Sequence, residues 1–242
     1  MSGHSKWASI KRKKGAADQK RGKIFTRCIH EITVAVREGG GGDPSGNARL
    51  RFAIERAKAV NMPNENIDRA IKRATGEIKG EEQLELTYEG YGPGGTAVLV
   101  EVITNNKNRV VSEIRHAFSK CGGSLGEGGC VAWMFEKRGV IVIKKDLIEE
   151  DALYEAALDA GAEDVSGDDE EWEVKCEPKE LHSVKSALET KVKVESAEVQ
   201  NMPKTTISLA GKEAEQVMRL MEMLDDLDDV LNVSVNCDFV TP

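Results

Sequence analysis

Little in this chain can cross-link it, hold a metal or carry it through a bilayer. Its five cysteines (Cys28, Cys121, Cys130, Cys176, Cys237) are an odd number without a CxxC pair. That argues against a disulfide framework or a zinc module and reads as small core residues in a reducing cytosol. No apolar run approaches the roughly 20 residues of a membrane-spanning helix, and the best stretch, Ala97 to Thr104, is interrupted by Glu101. No apolar core follows the basic start, as a secretory signal would require. Catalytic patterns are equally scarce. His30-Glu31 lacks the second histidine of a zinc-protease helix, and His4, His116 and His182 have no ligand or nucleophile at a diagnostic spacing. The expectation is a cytoplasmic protein that is not an enzyme and needs no metal or cofactor.

What is present is a charge split. Residues 1–80 carry 18 Lys and Arg against 8 Asp and Glu, a net of +10, while residues 81–242 carry 16 against 34, a net of −18. A basic segment on an acidic protein points to a polyanion, nucleic acid first, because the acidic remainder is repelled from the same phosphates. Nine of the first 30 residues are Lys or Arg (Lys6, Lys11, Arg12, Lys13, Lys14, Lys20, Arg21, Lys23, Arg27), with His4, Trp7 and Phe25 among them and only Asp18 acidic. Charges this dense keep a free chain extended until phosphates neutralise them. The nine basic residues with His4 and Trp7 are therefore the expected nucleic-acid contacts, and a merely solvated tail is the alternative. Trp7 can stack on an unpaired base or pin the arm to the first helix; both readings stay open.

Helical periodicity follows. Phe25, Ile29, Ile32 and Val36 share one face of a helix expected from about Asp18 to Glu38, ended by Gly39 to Gly42. Leu50, Ala53, Ile54 and Ala57 mark a second helix after Asp43-Pro44-Ser45. Ile67, Ala70, Ile71 and Ala74 mark a third after the break at Asn61 to Asn64. The last pair could form a helix-turn-helix, but Arg69, Lys72 and Arg73 suit phosphates as well as base edges.

Beyond residue 80 strands alternate with helices. Strands are expected at Leu84 to Tyr88, Thr96 to Ile103, Cys130 to Phe135, Val140 to Ile143, Glu171 to Cys176, Val194 to Gln200, Thr205 to Leu209 and Val230 to Phe239. Helices are expected at Asn108 to Lys120, Leu147 to Ala160, Lys179 to Thr190 and Lys212 to Asp229, with Val111, Ile114, Ala117 and Phe118 inward on the first of them. If Trp133 to Ile143 holds a bend, the central segment has the order of a ferredoxin-like α/β sandwich. The fold class is thus α+β: a basic three-helix domain (1–80), a discontinuous α/β domain (81–130 with 204–242), and an acidic ferredoxin-like domain (131–203) inserted into it.

Gly90-Tyr91-Gly92-Pro93-Gly94-Gly95 satisfies GxGxxG literally. A dinucleotide site needs a helix next, whereas Thr96 to Val100 continues as strand, so the segment is expected to be a strand-to-strand turn. Such a rigid loop can approach an RNA backbone, making Tyr91, Gly92, Pro93, Gly94 and Gly95 a second candidate contact. Gly122 to Gly129 is expected to be a flexible loop without the lysine of a P-loop.

Five separated motifs carry a resemblance. Gly3-His4-Ser5-Lys6-Trp7-Ala8-Ser9-Ile10-Lys11, Lys20 to Phe25, Tyr88 to Gly95, Thr104 to Arg109 and Gly129 to Phe135 resemble, in that order, the YebC family of bacteria and its mitochondrial translational-activator relatives. The resemblance implies three domains, one helical and two α/β with one inserted in the other. It also implies a regulator of gene expression, described either as a DNA-binding transcription factor or as a ribosome-associated factor that relieves stalling. An extended basic arm without a clear recognition helix suits folded RNA better than a major groove. The ribosome, through rRNA or tRNA, is therefore the favoured partner and DNA the alternative.

Overall fold

In a computed structural model the chain is described over residues 21–78, 84–168 and 170–239. The helical part comprises α1 (Arg21–Glu38), α2 (Ala48–Ala59) and α3 (Asn64–Ala74). Their apolar stripes meet in one core of Cys28, Ile32, Ala35, Leu50, Ala53, Ala57, Ile67 and Ala70, with Phe25 and Ile29 packed against it. The glycines after α1 end it as their entropy requires, with Gly40 and Gly41 at φ +99° and +107°. Asn47 then joins the two helices. Its Oδ1 accepts the Leu50 N–H at 3.0 Å, and its Nδ2 donates to the carbonyls of Ala35 (2.8 Å) and Gly41 (2.9 Å).

The next unit contains β1 (Leu84–Tyr91), β2 (Ala97–Thr104), α4 (Lys107–Lys120) and β3 (Ser124–Leu125). The chain returns to this unit, after the strands and helices between Phe135 and Pro203, with β8 (Ile207–Leu209), α7 (Gly211–Asp225), β9 (Val230–Val235) and β10 (Cys237–Phe239). Among the described residues β3, β1, β2 and β9 form an antiparallel sheet in that order, and β8 pairs in parallel with β10. Period-2 alternation explains both faces of β2. Val98, Val100 and Val102 join the core beneath α4 and α7. Ala97 and Leu99 face the other way and pack with Val131 and Phe135. Glu101 shares that second face, where its Oε2 accepts from Asn232 Nδ2 at 3.1 Å.

Between the two halves lie β4 (Phe135–Lys144), α5 (Glu150–Asp159), β5 (Asp164–Gly167), β6 (Glu171–Cys176), α6 (Leu181–Glu189) and β7 (Ser196–Pro203). Their sheet runs β5-β6-β4-β7, antiparallel throughout, which is the ferredoxin-like order for a β-α-β-β-α-β chain. Ile141, Ile143, Leu153, Val174, Val184 and Leu188 fill its core against the two helices.

The structure differs from the sequence reading at several places, each with a local cause. Cys130 to Phe135 is not a strand: Ala132–Met134 forms a 3-10 turn and β4 starts at Phe135. The Gly122 to Gly129 segment contains β3, which pairs with Gly90 and Tyr91. β5 escaped notice because Asp164 and Gly167 are poor strand formers at a sheet edge. The last strand is split at Asn236, whose Oδ1 accepts the Ala97 N–H at 2.7 Å. On α4 the buried valine is Val110, and Val111 is half-buried.

Candidate nucleic-acid interface

One end of β1 organises a surface loop through a single carboxylate. Glu89 is 7% exposed and lies on the β1 face away from the main core. Its Oε1 accepts the Gly129 N–H at 2.6 Å, and its Oε2 accepts those of Val131 and Ala132, both at 2.7 Å. Its backbone carbonyl takes the Gly126 N–H at 2.8 Å. Burial alone raises the pKa of this acid, but the three backbone N–H groups outweigh it and hold the carboxyl below its ordinary value. Residues 126–132 are thereby clamped to the strand by charge-assisted hydrogen bonds.

The clamp displays two aromatic rings. The Tyr91 hydroxyl and the Trp133 Nε1 both donate to the Cys130 carbonyl, each at 3.1 Å, so their polar ends converge. Trp133 is 64% exposed and Tyr91 38%. Lys204 Nζ donates to the Trp133 carbonyl at 2.9 Å. Trp133 is a surface feature that the sequence did not disclose, because an apolar Val-Ala-Trp-Met-Phe run reads as a strand interior.

Within the neighbouring turn, Gly92 and Pro93 are buried, whereas Tyr91, Gly94 and Gly95 are exposed. Gly94 and Gly95 take φ +67° and +77° in a 3-10 turn over Pro93–Gly95, and Thr96 Oγ1 donates to the Pro93 carbonyl at 2.8 Å. A Cβ on Gly94 would come within 2.7 Å of Leu209, so the turn packs closely on β8.

The helical part presents most of its described cations to solvent. Arg49 pairs with Glu38 at 2.6 Å, and Arg51 donates to the Pro44 carbonyl at 3.0 Å. Lys58, Arg69, Lys72 and Arg73 are exposed and make no ion pair among the described residues. An open cleft of about 840 Å³ separates α2 from α3, with Arg51, Lys58 and Lys72 on its walls together with Glu55, Asp68 and Glu77.

Of the candidate arm contacts, His4, Lys6, Trp7, Lys11, Arg12, Lys13, Lys14 and Lys20 lie outside the described residues. Arg21 and Lys23 fall in the first turn of α1. Arg27 is half-buried, and its Nη2 donates to Asn232 Oδ1 on β9 at 2.8 Å, so it ties the helical part to the first sheet. Three further contacts cross between units. His30 lies 3.7 Å from Glu85. Arg56 bridges Glu31 (3.0 Å) and Glu198 (3.4 Å), and the Phe52 ring stands 3.8 Å from that of His182. Burial is the first influence on both His30 and Glu31, lowering the pKa of the histidine and raising that of the acid.

Among the described residues no helix is long and apolar enough to cross a membrane. Residues 5–77 match the profile of the TACO1/YebC protein N-terminal domain, and residues 84–237 match that of the TACO1/YebC second and third domain. Relatives include a probable transcriptional regulatory protein of Syntrophus aciditrophicus, 58% identical over 98% of this chain and 96% of that one. Another, from Geobacter sulfurreducens, is 54% identical over 100% of this chain and 97% of the relative. The crystal structure of a conserved hypothetical protein from Aquifex aeolicus superposes with a TM-score of 0.82 at 44% identity, covering 93% of each chain. Helical and strand-rich parts alike, nearly end to end, thus place the chain in the TACO1/YebC family.

Proposed function

We propose that this protein is a nucleic-acid-binding regulator of gene expression that acts as a ribosome-associated translation factor, holding rRNA or tRNA through its basic N-terminal segment and relieving stalling. The observation that carries the reading is the charge split, +10 in residues 1–80 against −18 in the remainder. The exposed Lys58, Arg69, Lys72 and Arg73 extend that charge onto the folded helices. The cations Lys6, Lys11 to Lys14, Lys20, Arg21 and Lys23 supply the sequence-independent phosphate contacts, and the Tyr91 to Gly95 turn is a second contact. The three units serve as domains that set reach and orientation.

DNA is the second reading, because relatives carry the name probable transcriptional regulatory protein. The exposed face of α3 weighs against readout of a major groove. A recognition helix meets base edges with its N-terminal residues, and here the first turns carry Glu65 and Asp68, which phosphates repel.

Cosedimentation with ribosomes at physiological salt tests the proposal, with excess random duplex DNA as competitor. Stoichiometric pelleting is expected to survive the DNA and to disappear when Lys11, Arg12, Lys13 and Lys14 are changed to Glu. Absence from the pellet, or displacement by duplex DNA, moves the function to transcription.

A further inference from the structure

Trp133 is the most exposed large hydrophobic side chain among the described residues, and it is also firmly held. The Cys130 carbonyl takes its Nε1–H, Glu89 takes the N–H of Ala132 before it, and Lys204 donates to its own carbonyl. Val131 and Phe135 are buried on either side of it against Ala97 and Leu99. The ring therefore has a set orientation before any partner arrives, which removes an ordering cost that a loose side chain would incur on binding.

The surroundings say what suits this ring. An apolar protein partner needs a contiguous patch of a few hundred Å². Here the same loop instead exposes Gly128 and Gly129, the Tyr91 hydroxyl shares the indole's carbonyl acceptor, and the Lys204 ammonium sits on the Trp133 backbone carbonyl. A Cβ at Gly128 or Gly129 would touch nothing within 4 Å, so a bulky sugar-phosphate can come close to that backbone. Glu89 lies beneath, buried and fully engaged, and Glu127 is the acidic side chain exposed in the same loop. A flat ring, a second aromatic beside it and one cation are the parts that hold an unpaired base and its phosphate.

We propose that Trp133, with Tyr91 and Lys204, is a stacking platform for an unpaired base of the RNA this protein binds, a second contact remote in sequence from the basic arm. The proposal rests on the RNA-binding reading and adds to it a preference for single-stranded over paired nucleotides.

The test uses the full chain, fluorescence anisotropy, and two probes: a 12-nucleotide single-stranded oligouridylate and an RNA duplex of equal length. Trp133→Ala is expected to weaken single-strand binding about 5- to 150-fold, the range for loss of one base stack. Duplex binding should be unchanged, and Trp133→Phe, which keeps a π-face, should recover most of the loss. In a Trp7→Phe chain, where Trp172 is buried, oligouridylate should quench the remaining tryptophan emission. Equal single-strand affinity of Trp133→Ala and the parent chain, an equal loss on both probes, or absence of quenching would overturn the proposal. The four-Glu arm variant keeps the two readings apart. If it loses RNA while Trp133→Ala does not, the platform fails and the RNA reading stands; if the parent chain binds neither RNA, both fail.

Discussion

Replacing Glu89 by Gln keeps the side-chain shape but turns one acceptor oxygen into a donor facing backbone N–H groups. Three hydrogen bonds to a buried carboxylate are at stake. The expected loss is about 2 kcal/mol, read from urea unfolding. The pH dependence has a definite sign. Because the folded pKa lies below the ordinary 4.5, the stabilisation is present above that value and is lost as pH falls through the folded one. The gap in Tm between parent and Glu89→Gln should therefore be full at neutral pH and close in acid. Asn47 is a comparable knot in the helical part. Asn47→Ala strands the Leu50 N–H and the carbonyls of Ala35 and Gly41 and should cost about 2 kcal/mol, seen as a lower urea midpoint with an unchanged slope. Of the five thiols read in the sequence as core residues four are so placed, whereas Cys130 is half-buried in the loop that Glu89 holds. Cys28, Cys121, Cys176 and Cys237 are buried, and desolvation first of all pushes Cys237 up to about 12 and Cys176 to about 11.

Between elements, a few polar bridges link the helical part to the sheets. Arg56 on α2 reaches Glu31 on α1 and Glu198 on β7. Arg56→Met leaves two carboxylates facing each other. Since these side chains are partly solvated, the expected cost is modest, about 1 kcal/mol. Glu31 already has a raised pKa, from burial first and then from Glu198, while Arg56 opposes the rise. Without the guanidinium the rise grows, so stability is lost as pH climbs from the unfolded carboxylate value through the folded one. The Tm deficit of Arg56→Met relative to the parent should widen between pH 4.5 and 7, about the range above an unperturbed glutamate. On β1, Gly90 shows why the glycine-rich segment follows no nucleotide-binding logic. A Cβ there would meet the Ser124 carbonyl at 2.6 Å and the Phe118 ring at 2.7 Å, so Gly90 admits β3 and α4 rather than a pyrophosphate.

At the scale of the whole molecule, opposite charge is segregated along the chain, and this governs how binding responds to salt. The arm variant with Glu at positions 11, 12, 13 and 14 should lose RNA affinity while its Tm stays nearly that of the parent. The slope of log affinity against log salt should flatten by about 0.7 for each phosphate contact removed from a single strand. A large fall in Tm would instead make the arm part of the folded structure. The acidic surface that repels phosphate belongs largely to the inserted sheet and its helices, where Asp146 to Glu173 holds thirteen acidic residues and no Lys or Arg.

The sequence by itself determined the α+β class, the three helical stripes, most strands and the family, because periodicity and glycine punctuation act over a few residues and survive without tertiary context. It also made Tyr91 a candidate, through the turn that follows it. It could not disclose that Val131 to Phe135 is a turn with an outward indole. That outcome depends on Glu89, some 40 residues upstream, taking the N–H groups a strand would have paired. Nor could it disclose that Arg27 is occupied by Asn232, 205 positions away, or that Glu101 is tolerated in β2 because the same asparagine bonds to it. Local pattern sets which face of each element is apolar; only the assembled fold decides which polar group on the other face meets a partner and which is left to solvent.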